Sequence, residues 1–155
     1  YTTAANFDQW WTDVPGVNHE ISTDLPLFRS REGLGMYIIK DQNAYADTPL
    51  LDPAFGWGPE DAETYNARMT IEINDTFTYE AGQQLRLGVK GEMWVFIDHQ
   101  LVYEGVDPMQ NSKTYQLLEL DSLGLTPGQQ YEIHAFAAFK RRRNPTLWLE
   151  WPRCD

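Results

Sequence analysis

Cysteine is almost absent: Cys154, next to the last residue, is the single one in 155. An internal disulfide is therefore excluded, and a lone thiol could only bridge to sequence outside this chain, so the redox compartment is left open. No apolar run is long enough to span a membrane, which removes membrane insertion from the expected behaviour. Basic residues are scarce, 12 Lys and Arg against 23 Asp and Glu, for a formal charge of -11. Nucleic acid and anionic membranes would be repelled by that charge, whereas divalent cations and neutral glycans would not. The acidity also has a plain explanation in solubility. Catalytic signatures are missing: there is no H-E-x-x-H, no G-x-S-x-G and no glycine-rich phosphate loop,. His19, His99 and His134 show no metal-ligand spacing,. Catalysis is not expected. Repeats, low-complexity tracts and interdomain linkers are absent as well, so residues 1–155 read as one domain,. Opening at Tyr1 without Met, the chain looks like a piece of a longer or processed protein.

Aromatic residues are abundant: six Trp, eight Tyr and seven Phe, with eleven Gly and nine Pro. That mixture favours strands joined by loops over helices. The densest stretch is Met93-Trp94-Val95-Phe96-Ile97, whose bulky side chains on both faces predict a strand covered on both sides,. Met69, Ile71 and Ile73 alternate with polar residues and predict a half-buried strand,. After the turn Glu80-Ala81-Gly82-Gln83, Leu85, Leu87 and Val89 alternate likewise and are expected to pair back on it as a hairpin,. Weaker strands are predicted over Leu34 to Ile39 and Tyr115 to Leu120, a long one through Tyr131, Ile133, Ala135, Ala137 and Phe139, and a last one through Leu147, Leu149 and Trp151,. Phe7, Trp10 and Trp11 stand at i, i+3 and i+4, the spacing of one amphipathic helical turn, expected to lie as a lid over the core,. About eight strands without a long helix predict an all-β antiparallel sandwich with a short N-terminal helical or loop lid.

Binding residues are expected on loops and on the polar shoulders of the central strand. Residues 40–64 carry no periodicity, many acids and Trp57 between glycines and a proline,. Trp57 either stacks on the apolar face of a sugar or packs beneath that loop. Glu92, Glu104, Asp107 and Asn111 flank the strand and either converge at one end of the sandwich as a ligand site or stand as ordinary solvated residues,. Glu92 and Asp107 are the weak candidates for holding a cation. The basic run Lys140 to Arg143 reads as a charged hairpin tip that protects an edge and adds solubility, or as a grip for an anionic polysaccharide or a partner's acidic patch,. Trp10, Trp11, Trp94, Trp148 and Trp151 fall in strand or amphipathic patterns and read as core or lid residues.

Asn6-Phe7-Asp8-Gln9-Trp10-Trp11-Thr12-Asp13-Val14-Pro15-Gly16-Val17-Asn18 is followed by Pro49-Leu50-Leu51-Asp52 with Phe55-Gly56, then by Tyr65 to Ile73 with Phe77 and Tyr79, by Trp94 to Asp98 with Leu101-Val102, and by Gly124 to Tyr131. Motifs in this order resemble the fibro-slime domain, an extracellular module related to the PA14 β-sandwich. The resemblance spans nearly the whole chain. It implies a secreted or cell-surface PA14-like sandwich that contacts a glycan or a cell-surface or matrix protein. In such domains adjacent aspartates before the central strand help to hold a calcium ion, which in turn holds sugar hydroxyls. A hard cation of that kind needs several oxygen ligands. Here the aspartate run is replaced by Lys90-Gly91-Glu92, the loop after the strand is reduced to Glu104-Gly105-Val106-Asp107, and the late Glu-Arg reads Phe139-Lys140-Arg141. Calcium is therefore not expected at the family position, and no other cofactor is implied. Two functions follow: a recognition or adhesion module contacting carbohydrate, or a structural or protein-interaction domain that has lost sugar and calcium binding.

Overall fold

A computed structural model describes residues 3–18, 20, 22, 24, 28–29, 36–40, 69–89, 91–106, 116–139 and 147–152. Among them run nine strands: β1 (Phe28–Arg29), β2 (Met36–Lys40), β3 (Met69–Thr78), β4 (Gln84–Val89), β5 (Glu92–Ile97), β6 (Gln100–Val106), β7 (Gln116–Glu119), β8 (Gln130–Phe139) and β9 (Leu147–Pro152). They form two sheets, of order β1-β2-β9-β4-β7 and β3-β8-β5-β6, and every pairing is antiparallel. The molecule is an all-β sandwich with one short N-terminal helix, α1 (Ala4–Asp8).

Period-two alternation decides what faces inward. Leu85, Leu87 and Val89 of β4 and Met93 and Val95 of β5 are wholly buried, and Ile133, Ala135, Ala137 and Phe139 of β8 and Leu147, Leu149 and Trp151 of β9 join them in one core. Burying each large aliphatic side chain is worth about 1.5–3 kcal/mol. A polar tie crosses this interior, the Trp151 indole N–H donating to Asp75 Oδ2 of β3 at 2.9 Å. On the outer face of the five-stranded sheet, Arg86 and Glu150 stand opposite one another in register, with Nε and Oε2 3.5 Å apart and the Glu150 side chain 1% exposed.

One expected pairing is corrected. β4 does not fold back on β3: β3 pairs along its full length with β8, while β4 lies in the other sheet between β9 and β7. The turn at residues 80–83 is a corner between sheets, and a second corner, from β7 to β8 through the 3₁₀ helix Leu120–Leu123, is stitched to it. Asp121 Oδ1 accepts from the Tyr79 hydroxyl at 2.6 Å and from the Gly82 backbone N–H at 2.7 Å. Backbone bonds from Leu120 to Gln83 and from Gly128 to Tyr79 complete the seam. Two alternating runs around a short turn look the same whether the turn closes a hairpin or crosses between layers, which is why alternation misassigned it.

The lid exists, but it covers a different surface from the one expected. α1 is capped by Thr3, whose hydroxyl accepts from Asn6 N–H at 3.2 Å, and it runs into a 3₁₀ helix, Gln9–Trp11. The Asn18 side chain closes the segment on itself, accepting from Val14 N–H at 2.7 Å and donating to the Gln9 carbonyl. This cap lies on the outer face of the four-stranded sheet rather than over the core between sheets. Phe7 meets Trp94 edge-on at 5.8 Å between centroids, Trp11 meets Phe136 at 5.1 Å, and the Trp10 carbonyl accepts from Thr70 Oγ1 at 2.7 Å. β5 is thus covered by the core on one side and partly by the cap on the other, where its outward residues stay half-buried.

Candidate functional site: the two ends of the central strand

β5 carries its outward residues Glu92, Trp94 and Phe96 on one face, all half-buried. At its first end, Trp94 pairs with Glu104 of β6 across the sheet, and the indole Nε1–H donates to Glu104 Oε1 at 3.2 Å. Glu92 pairs with Val106, so the two glutamates are diagonal neighbours, about 7–8 Å apart by the usual sheet geometry. Of the five binding residues expected from sequence, Glu92 and Glu104 are brought together in this way. Trp57, Asp107 and Asn111 lie outside the described residues, as do Lys90 and the run from Lys140 to Arg143.

The aromatic that does adjoin the carboxylates is Trp94, assigned from sequence to core or lid. It serves there too, as the ring on which Phe7 rests. Nothing in linear spacing reveals its link to Glu104, which depends on hairpin register. The hairpin carries a bulge between Val95 and Phe96, with Val95 opposite Tyr103 and Phe96 opposite Leu101. Gly91 abuts β8 so closely that a β-carbon there would meet the carbonyl oxygen of Ala138. A carboxylate has no room at that position unless the backbone moves. On the core side of β6, Tyr103 lies against Gly105. Its hydroxyl is buried without a hydrogen bond among the described residues, and burial pushes its pKa up.

The second end is chemically different. β5 and β6 are joined by the two-residue turn Asp98-His99, with φ of 48° and 64°. Both residues are left-handed, as the tightest hairpin turns require, and glycine is the usual occupant of such positions. For a residue with a side chain this region costs about 1 kcal/mol or more, although Asp and His enter it more readily than most. Asp98 N–H donates to the Glu132 carbonyl of β8 at 3.1 Å, which fixes the turn against the sheet. The His99 and His134 rings lie 6.1 Å apart at a 46° tilt, and His134 Nε2 stands 3.3 Å from Glu132 Oε2. These histidines are 35 positions apart in sequence (134 minus 99) and are joined only by the register that sets Phe96 opposite His134. Among the described residues, no group of three or more His, Cys, Asp and Glu side chains stands where it could hold a metal ion.

The chain is therefore an antiparallel sandwich with an aromatic N-terminal cap, an acidic and aromatic first end and an imidazole-bearing second end. No family model matches it. It is similar to several proteins of Dictyostelium discoideum, among them protein psiC, 25% identical over 143 residues and covering 85% of this chain and 26% of psiC; protein psiR, 27% identical over 170 residues, covering 96% and 16%; and protein psiB, 28% identical over 145 residues, covering 90% and 25%. The chain spans about a quarter or less of the length of these relatives.

Proposed function

We propose that this chain is a non-catalytic, extracellular or cell-surface recognition module of the fibro-slime, PA14-like kind, and that it contacts carbohydrate at the first end of the central strand. The observation that carries the reading is the Trp94–Glu104 pair with Glu92 beside it on the same face. Sugars are recognised by an aromatic ring against their C–H face and by carboxylates that accept from their hydroxyls, and this group supplies both. Recognition is direct rather than through the family's calcium ion, because Gly91 occupies the aspartate stretch and is packed against β8. A glycan array probed with and without calcium tests this. Binding that is indifferent to calcium and falls in Glu104→Gln supports it, and no binding at millimolar sugar overturns it.

A second reading is a protein-interaction domain of a surface or matrix assembly. Leu101 on β6 and Leu117 on β7, the edge strands of their sheets among the described residues, are 47% and 51% exposed. Edge strands with apolar side chains invite pairing with another chain. Size-exclusion of the native parent protein, with the domain intact and with Leu101→Lys, separates this reading from the first.

A further inference from the structure

We propose that the second end of the central strand is a binding site for a divalent transition-metal ion such as Zn2+, with His99 and His134 as its protein ligands and Glu132 as the positioning residue. Three observations converge on it. The two imidazoles lie beside each other at the β5–β8 boundary, with centroids 6.1 Å apart and planes tilted by 46°. Zn–N bonds of about 2.0–2.1 Å place each ring centroid about 3.2 Å from the ion, so two bound rings stand at most about 6.4 Å apart, and a tetrahedral angle asks for about 5.2 Å. His99 is exposed at the hairpin tip, and rotation of its side chain supplies that closure of about 1 Å,. Second, Glu132 Oε2 lies 3.3 Å from His134 Nε2. A carboxylate that takes the N–H of one ring nitrogen fixes the tautomer and leaves Nδ1 as the ligating atom, the arrangement that orients metal-bound histidines elsewhere. Third, His99 holds a left-handed position that glycine fills without strain, and such departures gather at functional sites,. With two protein ligands, water completes the shell. Imidazole nitrogen suits Zn2+, Ni2+ and Cu2+ over Ca2+ or Mg2+, which separates this site from oxygen-based calcium chemistry.

The test is a titration of the whole chain with Zn2+ alone, followed by calorimetry and by the histidine ring resonances. The wild type should bind one ion, with the His99 and His134 lines moving together. His99→Gly removes a ligand while relieving the turn, so it should stay folded with a melting temperature no lower than wild type and lose Zn2+ affinity by more than tenfold. His134→Gln should lose as much. Glu132→Gln should lose affinity by about tenfold, the usual range for a group that orients a ligand. No heat and no shift at submillimolar Zn2+, or His99→Gly retaining wild-type affinity, would overturn the proposal.

Discussion

The two ends of β5 are opposites in what they ask of one residue. At the first end, before Glu92, a glycine is required: Gly91 stands against the Ala138 carbonyl, and any side chain pushes β5 away from β8. At the second end a glycine would be easiest, yet His99 sits in the left-handed region at φ 64°. The first end keeps its backbone close at the expense of a ligand that the resemblance leads one to expect. The second accepts backbone strain and keeps a side chain. The contrast separates two constraints: a tight glycine follows from packing alone, whereas a left-handed histidine carries a backbone cost that glycine would not.

Four substitutions or titrations press on this contrast. Gly91→Ala should have the largest effect, lowering stability by about 3 kcal/mol as an overpacked backbone contact, measured by urea unfolding. A neutral result would mean that the first end is not closed by packing. Trp94→Ala should cost about 2 kcal/mol, half the range for a buried Trp because this ring is half-buried, and it should loosen the cap, seen as a red shift of the remaining tryptophan emission,. His99→Gly should move the other way, raising stability by about 1 kcal/mol and the melting temperature by about 2–4 °C. If it destabilises instead, the imidazole packs more than it strains.

The smallest effect concerns the seam that closes the sandwich at the end where β3 finishes and β8 begins. The Tyr79 hydrogen bond, then the Gly82 N–H, hold the Asp121 carboxyl below its usual value. The same bond to Asp121, followed by burial, pushes the Tyr79 hydroxyl up from 10.0 to about 12. A depressed carboxyl contributes stability above its ordinary pKa and loses it as pH falls through the folded value. A raised phenol contributes below pH 10 and loses it as pH rises towards about 12,. Asp121→Asn should therefore lower the melting temperature most near neutral pH, where both contributions are present, and change it least at the acid and alkaline extremes, so that its pH profile flattens,.

Much of the fold was legible in the pattern of side chains. The alternation of Leu85, Leu87 and Val89 and of Ile133, Ala135, Ala137 and Phe139 marks the inward face correctly in each strand, since a period of two is local. The i, i+3, i+4 spacing of Phe7, Trp10 and Trp11 likewise marks the cap. Partnership between strands was not legible: the corner at residues 80–83 looks like a hairpin turn, and β3 finds its partner in β8, across β4 to β7 in the chain. The candidate site divides the same way. Glu92 and Glu104 could be expected together because one hairpin joins them. Trp94 beside Glu104 and His99 beside His134 could not, because both depend on register and the second also on which strand lies next to β5.

By itself, then, the sequence determined the class of fold, the faces of its strands, the aromatic cap and the acidic character of the surface, all consequences of local periodicity and composition. The tertiary structure alone decided that the cap lies outside the four-stranded sheet, that Gly91 leaves no space for a carboxylate, and that two histidines without any metal spacing come to lie side by side. Those depend on long-range pairing, which no window of neighbouring residues contains.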